Sequence, residues 1–411
     1  MRTVADFHIH SRYSRATSSQ LDLDLLSRWA KYKGIHLLGT GDCTHPLWMM
    51  ELTKKLKETA GGLYEYEGVH FWLTAEVNAS FIVGGKSKRI HNVLFVPSIE
   101  VAQKLNQRLD RFGDLTSDGR PTLGLSAADL VKEALSVSPD ILIVPAHAWT
   151  PHFSIFGANS GFNTVEECFG PQAKEIYCLE TGLSSDPAMN WRLSQLDRYT
   201  LISNSDSHSA GRIGREANVF GCEPNQREIL DILKTHDKKR FLFTVEFFPE
   251  EGKYHFDGHR NCKTRISPQE AIKNQNRCPA CGRAVTIGVM HRVEELADRP
   301  EGFSDDNRVP FKRMVPLDQI IAEARGVGVA TKTVEQEYLD LVQRVGTEFE
   351  ILIEMPEELI RKNLHPKVAE GVLKVRQEKI EILPGYDGEY GEVKIFDHDK
   401  ETAGEKQLTF L

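Results

Sequence analysis

Asp6-Phe7-His8-Ile9-His10-Ser11 closes the first apolar run of the chain, Thr3 to His10. In an extended strand successive side chains alternate between faces, so two imidazoles spaced i, i+2 project to one side at the strand's end. Two neutral ring nitrogens so placed can chelate one divalent ion. The spacing returns in Asn204-Ser205-Asp206-Ser207-His208, and between the two motifs lie Asp42 with His45, Glu76, His91 and His147. These nine donors suffice for two or three ions sharing carboxylates, as in two-metal phosphoester chemistry. A lone histidine is more often an ordinary core or surface residue; H-x-H and D-x-H both ending strands set this group apart.

Working outward, the strand-like runs are Thr3 to His10, Ile35 to Asp42, Phe71 to Glu76, His91 to Val96, Ile141 to His147, Glu175 to Glu180, Leu201 to Asp206 and Phe241 to Val245. Helical periodicity lies between them at Asp22 to Lys33, Ser126 to Leu135, Asp186 to Arg198 and Asn225 to Lys234. Repeated strand and helix imply a parallel sheet or barrel, whose functional residues gather where strands end. Beyond Phe248 the chain turns polar, with a further strand expected at Val285 to Met290. It then becomes helical at Leu317 to Ala324, Thr333 to Val345 and Glu357 to Lys362, with an apolar run at Phe349 to Ile353. From Pro384 it reads as loop and mobile tail. The division expected is 1–248, barrel; 249–292, metal-binding module; 293–390, mainly helical domain; 391–411, tail.

With 411 residues, 40% hydrophobic, the chain can bury a full core, and a formal charge of -8 rules out a global basic field. DNA contact would have to come from local patches. The opening residues show no basic then apolar leader and no apolar run is long enough for a bilayer, so the expectation is a cytoplasmic protein without membrane contact. Seven cysteines with one close pair fit a reducing compartment. Cys43, Cys168, Cys178 and Cys222 read as small core residues.

His259, Cys262, Cys278 and Cys281 form two short ligand pairs separated by a loop, the spacing of a closed structural zinc site. His255 competes for the fourth position; His259 is favoured because its spacing to Cys262 mirrors that of Cys278 to Cys281.

These motifs together resemble the PHP (polymerase and histidinol phosphatase) superfamily, whose fold is a distorted (β/α)7 barrel with up to three metals at its rim. The matching elements are Asp6 to Ser11, Gly41-Asp42, Glu76, His147 after Ile141-Leu142-Ile143-Val144-Pro145-Ala146, and Asn204 to His208. The superfamily usually has Asp followed directly by His on its second strand; here the order is Asp42-Cys43-Thr44-His45, so either His45 reaches back as a ligand or the third metal site is altered. The full order of barrel, zinc module and Gly385-Tyr386-Asp387-Gly388-Glu389-Tyr390-Gly391 resembles the endonuclease Q family. That resemblance implies damaged DNA as partner and a cut on the 5′ side of uracil, hypoxanthine, xanthine or an abasic site. It also implies zinc in the module and at the rim, with magnesium or manganese as rim alternatives.

A lesion enzyme must expose its target nucleotide and hold the backbone. Trp149, Phe153 and Phe156 follow His147 as a candidate base platform, although rim aromatics more often pack. Lys86, Lys88 and Arg89 form a basic turn suited to phosphates, or equally a solvated hairpin. Glu180, Ser184 and Asp186 follow a strand as candidates for base contact or general acid chemistry, Asp186 being equally a helix N-cap. Gln407, Leu408, Phe410 and Leu411 resemble the Gln-Leu-x-Leu-Phe peptide by which bacterial repair proteins dock on the sliding clamp, with the last two positions exchanged. Two other functions share parts of the pattern: a PHP-type phosphomonoesterase, which leaves residues 249–411 unexplained, and a noncatalytic nucleic-acid-binding scaffold, which a near-complete donor set opposes.

Overall fold

A computed structural model describes residues 2–159 and 161–396. Thr3–Asp6 lies centrally, parallel to Leu37–Gly39 with Ala5 opposite Leu37, and antiparallel to Ala217–Phe220 with Thr3 opposite Phe220. Leu37–Gly39 runs parallel to Val69–Val83, which turns back antiparallel as Lys86–Val96 and then pairs with Leu142–Pro145. In the other direction Ala217–Phe220 pairs with Phe241–Glu246, and Phe311–Arg313 adds to its edge.

A parallel pair, Cys178–Glu180 and Thr200–Ile202, fills the remaining gap. Ala148 N–H donates to the Glu180 carbonyl on one side. On the other side asparagine amides do what a strand ladder would: Asn204 Oδ1 accepts from Phe7 N (2.9 Å) and Asn218 Nδ2 (3.0 Å), and Asn218 Oδ1 accepts from Ser203 N (3.0 Å). The sheet thus closes into the distorted α/β barrel that the strand and helix alternation implies. Phe7, Trp72 and Phe95 pack edge to face in its interior, with ring centroids 5.2–5.9 Å apart. Amphipathic helices such as Leu23–Lys33 and Ala127–Val137 bury their apolar stripes against the sheet.

The hairpin Val69–Val83/Lys86–Val96 is far longer than the apolar runs inside it. Its outer half carries solvent-facing Ile82 and no buried alternation, so only the Gly84-Gly85 turn, both residues at positive φ, marks it in sequence. The strand expected at Val285 to Met290 does not form: Thr286 makes one bridge to Gly258, and Val289 already begins the helix Val289–Leu296. Ala217–Phe220 and the helix Pro366–Arg376 were not legible as periodic runs.

The cysteine-bearing segment folds as the hairpin Asp257–His259/Thr264–Ile266 followed by Pro268–Lys273, which starts in a capping box of Ser267 and Glu270. The helices Leu317–Arg325, Lys332–Arg344, Glu357–Asn363 and Pro366–Arg376 form the C-terminal region. They grip the barrel through the buried pair Lys33–Glu348 (2.5 Å), where Glu348 also accepts from Tyr338 Oη and Leu317 N. Residues 391–396, assigned to the tail in the sequence reading, include the strand Glu392–Lys394 paired with Glu381–Leu383, and bury Ile395 and Phe396. No helix among the described residues is long and apolar enough to cross a membrane.

Candidate active site

The turns after Thr3–Asp6, Leu142–Pro145 and Thr200–Ile202, together with the middle of the long hairpin strands, deliver two donor groups to one point of the rim: His8, His10, Glu76 and Asp206, and Glu76, His91 and His147, with the ligand atoms of each group within 4.8 Å of one another. Glu76 belongs to both. Its Oε2 lies 3.5 Å from His8 Nε2 and 3.4 Å from His10 Nε2; its Oε1 lies 2.6 Å from His91 Nδ1 and 3.0 Å from His147 Nε2. Asp206 Oδ1 completes the first group, 3.1 Å from His10 Nε2. His8 Nε2 is buried without a hydrogen-bond partner, and His91 Nδ1 faces the shared Glu76 carboxylate, so these nitrogens converge on space that a cation fits.

Burial alone would push the Glu76 carboxyl up, but His91 and His8 hold it well below its ordinary range. Burial likewise pulls His8 and His10 down, and the surrounding carboxylates hold both well above 6.5 instead. The cluster draws positive charge, which protons supply until a cation displaces them. Asp42, His147 and Asp206 sit at φ of +49°, +32° and +45°, uncommon for side-chain-bearing residues.

Two expected roles change. Asp42 is not among the grouped donors: its Oδ1 accepts from His10 Nδ1 (3.0 Å), while Oδ2 accepts from Ser11 N (2.7 Å), Ser11 Oγ (2.6 Å) and Ser14 Oγ (3.0 Å). It stands behind His10. Glu180, read as a candidate for base contact or acid chemistry, stands behind His8: wholly buried, it accepts from His8 Nδ1 (3.0 Å), Asn204 Nδ2 (2.8 Å) and the His147 amide (2.7 Å), leaving nothing to face a substrate. Because a carboxylate only accepts, both histidines keep a proton on Nδ1, and once a cation displaces the second proton the Nε2 lone pair would face it.

Asp186 is likewise removed from chemistry, as its side chain caps the helix Pro187–Trp191 through Met189 N (2.9 Å) and pairs with Arg313. His45 stacks on Tyr13 and bonds the Thr116 carbonyl; neither it nor Asp42 forms a third donor group among the described residues. His208 lies over His10, ring centroids 4.4 Å apart, and outside both groups.

Trp149 and Phe156 are buried and packed together, Trp149 Nε1 donating to Asn190, which corrects the platform reading for both. Phe153 remains at the rim, 4.9 Å from the His91 ring and beneath Arg89. Lys88 is turned inward onto the Gly161 carbonyl and the Phe162 ring, whereas Lys86 stays exposed. Sequence reading missed Arg120, whose Nη1 lies 3.2 Å from Glu76 Oε2. It comes from a loop with no periodicity, and no motif marks it.

A cavity of about 700 Å³ opens beside the donor groups, with Thr150, Ser184, Arg215, Lys253, His255 and Tyr390 in its wall. Thr150 Oγ1 lies 3.1 Å from His147 Nδ1 and Arg215 donates to the Ser205 carbonyl, tying the wall to the centre. Farther out, His259, Cys262, Cys278 and Cys281 bring four ligand atoms within 4.8 Å of one another, and His255 is not one of them. Although burial would raise the Cys278 thiol, its bond with Thr264 Oγ1 and bonds from the Ala280 and Cys281 amides bring it down to about 6, suited to a thiolate ligand. The clamp-like residues Gln407, Leu408, Phe410 and Leu411 lie outside the described residues.

Residues 316–379 match the MJ0043 C-terminal domain family. The chain is 30% identical over 416 residues to the uncharacterized protein YqxK of Bacillus subtilis (strain 168), covering 96% of this chain and 99% of that protein. It is similar in structure to the lesion-specific endonuclease PfuEndoQ from Pyrococcus furiosus, at TM-score 0.86 and 33% identity over 97% of this chain and 96% of that one. It is similar too to endonuclease Q in complex with a 27-mer duplex substrate with an abasic lesion at the active site, at TM-score 0.84 and 34% identity over 97% of both. With donor groups of this kind at its rim, the chain belongs to the endonuclease Q family and is an enzyme acting on phosphodiester bonds.

Proposed function

We propose that this protein is a DNA repair endonuclease that hydrolyses the phosphodiester on the 5′ side of a deaminated base, uracil, hypoxanthine or xanthine, or of an abasic site. The observation that carries this reading is one carboxylate, Glu76, shared by two donor groups beside a cavity large enough for an extruded nucleotide. His8, His10, Glu76 and Asp206 would hold one cation, and Glu76, His91 and His147 a second. The nitrogen-rich set suits zinc better than magnesium or manganese. Bound there, such cations lower the pKa of water toward neutrality and neutralise phosphoryl charge.

The chain's own groups orient this chemistry. Glu180 and Asp42 fix the tautomers of His8 and His10, and Thr150 braces His147. Arg120, cationic and part-buried beside the Glu76 carboxylate, is placed to stabilise the charge that grows on the phosphate. Arg212, Arg215 and Lys253 give the cavity wall its backbone contacts, and the hairpin tip offers Ile82 (75% exposed) and Val83 (45%) as apolar side chains that can enter a base step. Zinc is assigned to His259, Cys262, Cys278 and Cys281, whose donors match a closed tetrahedral site. The terminal peptide is assigned to a sliding clamp on its sequence resemblance alone; deleting residues 397–411 should abolish clamp binding, and unchanged affinity removes that assignment.

The test is cleavage of end-labelled duplexes carrying one uracil, hypoxanthine or abasic site, with manganese, magnesium or zinc added. An undamaged duplex and p-nitrophenyl phosphate serve as controls. A single cut 5′ to the lesion, lost in His147→Ala, is expected. Turnover of the small phosphate with intact damaged DNA would replace this reading by a phosphomonoesterase.

A further inference from the structure

The stretch Gly385 to Gly391 reads in sequence as part of a loose end, yet it is bolted to the chain just after the barrel. Gly385 N–H donates to the Glu250 carbonyl (2.8 Å), Gly391 N–H to Glu251 (3.0 Å), Gly388 N–H to Lys253 (2.9 Å), and Phe256 N–H to Gly385 (2.9 Å). Asp387 adds side-chain bonds from Arg260 N (2.6 Å) and Thr286 Oγ1 (2.5 Å). The glycine at 391 is a requirement of contact: a Cβ there would lie 2.1 Å from the Glu250 carbonyl oxygen. This close docking holds up one large side chain, Tyr390, which is 71% exposed.

Singly exposed aromatics are common on surfaces. Tyr390 differs in its place. Its ring forms part of the wall of the cavity beside the metal centre, the Lys253 ammonium sits 4.9 Å from the ring centroid, and Tyr254 lines the same mouth. A rigidly presented ring with a cation against it is the combination that binds an unstacked nucleotide, the ring covering a base and the ammonium serving its phosphate.

Resting on the endonuclease reading above, we propose that Tyr390, with Lys253, is the stacking platform for the extruded base, contributed by the C-terminal loop and not by the barrel. The ring contributes only when a base is present, so an abasic nucleotide gains nothing from it. This predicts a split between lesions that a merely structural role would not produce.

The experiment measures Kd for duplexes carrying hypoxanthine, uracil or a tetrahydrofuran abasic analogue, each with a methylphosphonate at the scissile linkage so that the full-length, metal-loaded enzyme binds without cutting. Tyr390→Ala should weaken the hypoxanthine duplex by about ten- to a hundredfold, the uracil duplex less, and the abasic duplex by less than about twofold. Tyr390→Trp should restore hypoxanthine binding. Equal losses on base-bearing and abasic duplexes, or no loss on either, would overturn the proposal. Wild-type enzyme with no preference for any damaged duplex would instead sink the endonuclease reading beneath it. Because the side chain is mostly solvent-facing, the substitutions leave the fold intact, which an unchanged Tm checks.

Discussion

Replacing Asp42 by Asn separates a metal ligand from a residue that aims one. In the structure Asp42 accepts four hydrogen bonds, and only one of them, from His10 Nδ1, leads to the cation space. Asparagine keeps an oxygen for His10, but its amide then faces Ser11 N–H, a donor with no other acceptor at hand. A buried donor left unsatisfied costs about 1–3 kcal/mol, which falls on the position of the Ser11 turn and so on His10. The carboxylate charge that makes His10 a stronger donor is lost as well, an effect that typically weakens metal binding by about 10- to 100-fold, or about 1.4–2.8 kcal/mol. Asp42→Asn should therefore lower affinity at the rim by that amount and leave the number of bound ions at saturation unchanged. His10→Ala, by contrast, should lose an ion outright. Calorimetric titration of metal-stripped protein, paired with metal analysis after dialysis, reads both quantities. If Asp42→Asn loses a whole equivalent at every concentration while the other sites keep wild-type affinity, Asp42 is itself a ligand and the arrangement derived above is wrong.

Glu76→Gln should weaken both rim ions together, by at least about a hundredfold each, because both groups use that one carboxylate; independent loss of a single ion in the same titration would contradict the shared bridge. Cys281→Ser should release one zinc and raise hydrogen exchange across residues 257–290 while barrel amides stay protected, as mass spectrometry of peptic fragments would show; barrel deprotection would mean that the module supports the core. Burial, aided by the Asp186 charge, holds the Glu246 carboxyl at about 8, so the folded chain keeps a proton that the unfolded chain releases near 4.5. Stability from this group is therefore complete below 4.5 and falls by about 1.4 kcal/mol per pH unit as pH rises toward 8. Glu246→Gln should flatten the decline of Tm between pH 6 and pH 8 relative to wild type, and parallel curves would refute the buried proton.

The donor residues were legible because strand alternation is a strict rule: once His8 and His10 end a strand, they must share a side. Residue type could not separate a ligand from the group behind it. Asp42 and Glu180 carry the same chemistry as Glu76, and only the register that sets them at Nδ1, not Nε2, assigns them to orientation. Trp149 and Phe156 stayed open between platform and packing for a related reason, since an aromatic next to a ligand faces the substrate or the core according to one turn of backbone. Arg120 and Tyr390 lie on irregular loops, where no period ties position to direction. The closing asparagines, Asn204 and Asn218, were equally invisible, as their task is to replace a main-chain ladder that the sequence gives no cause to think missing.

The pairing of the first strand with Ala217–Phe220 sets a schedule for synthesis. Thr3 Oγ1 bonds the carbonyl of Cys222, 219 residues later in the chain. At roughly 5–20 residues per second on the ribosome, about 10–45 s separate the two ends of that contact. For most of this interval His8 and His10 have been made but Asp206 has not, and one edge of the founding strand stays open to any strand that passes. The nascent enzyme is thus a half-built chelator whose first donor group is completed at Asp206, shortly before the strand Ala217–Phe220 that covers the open edge of its founding strand.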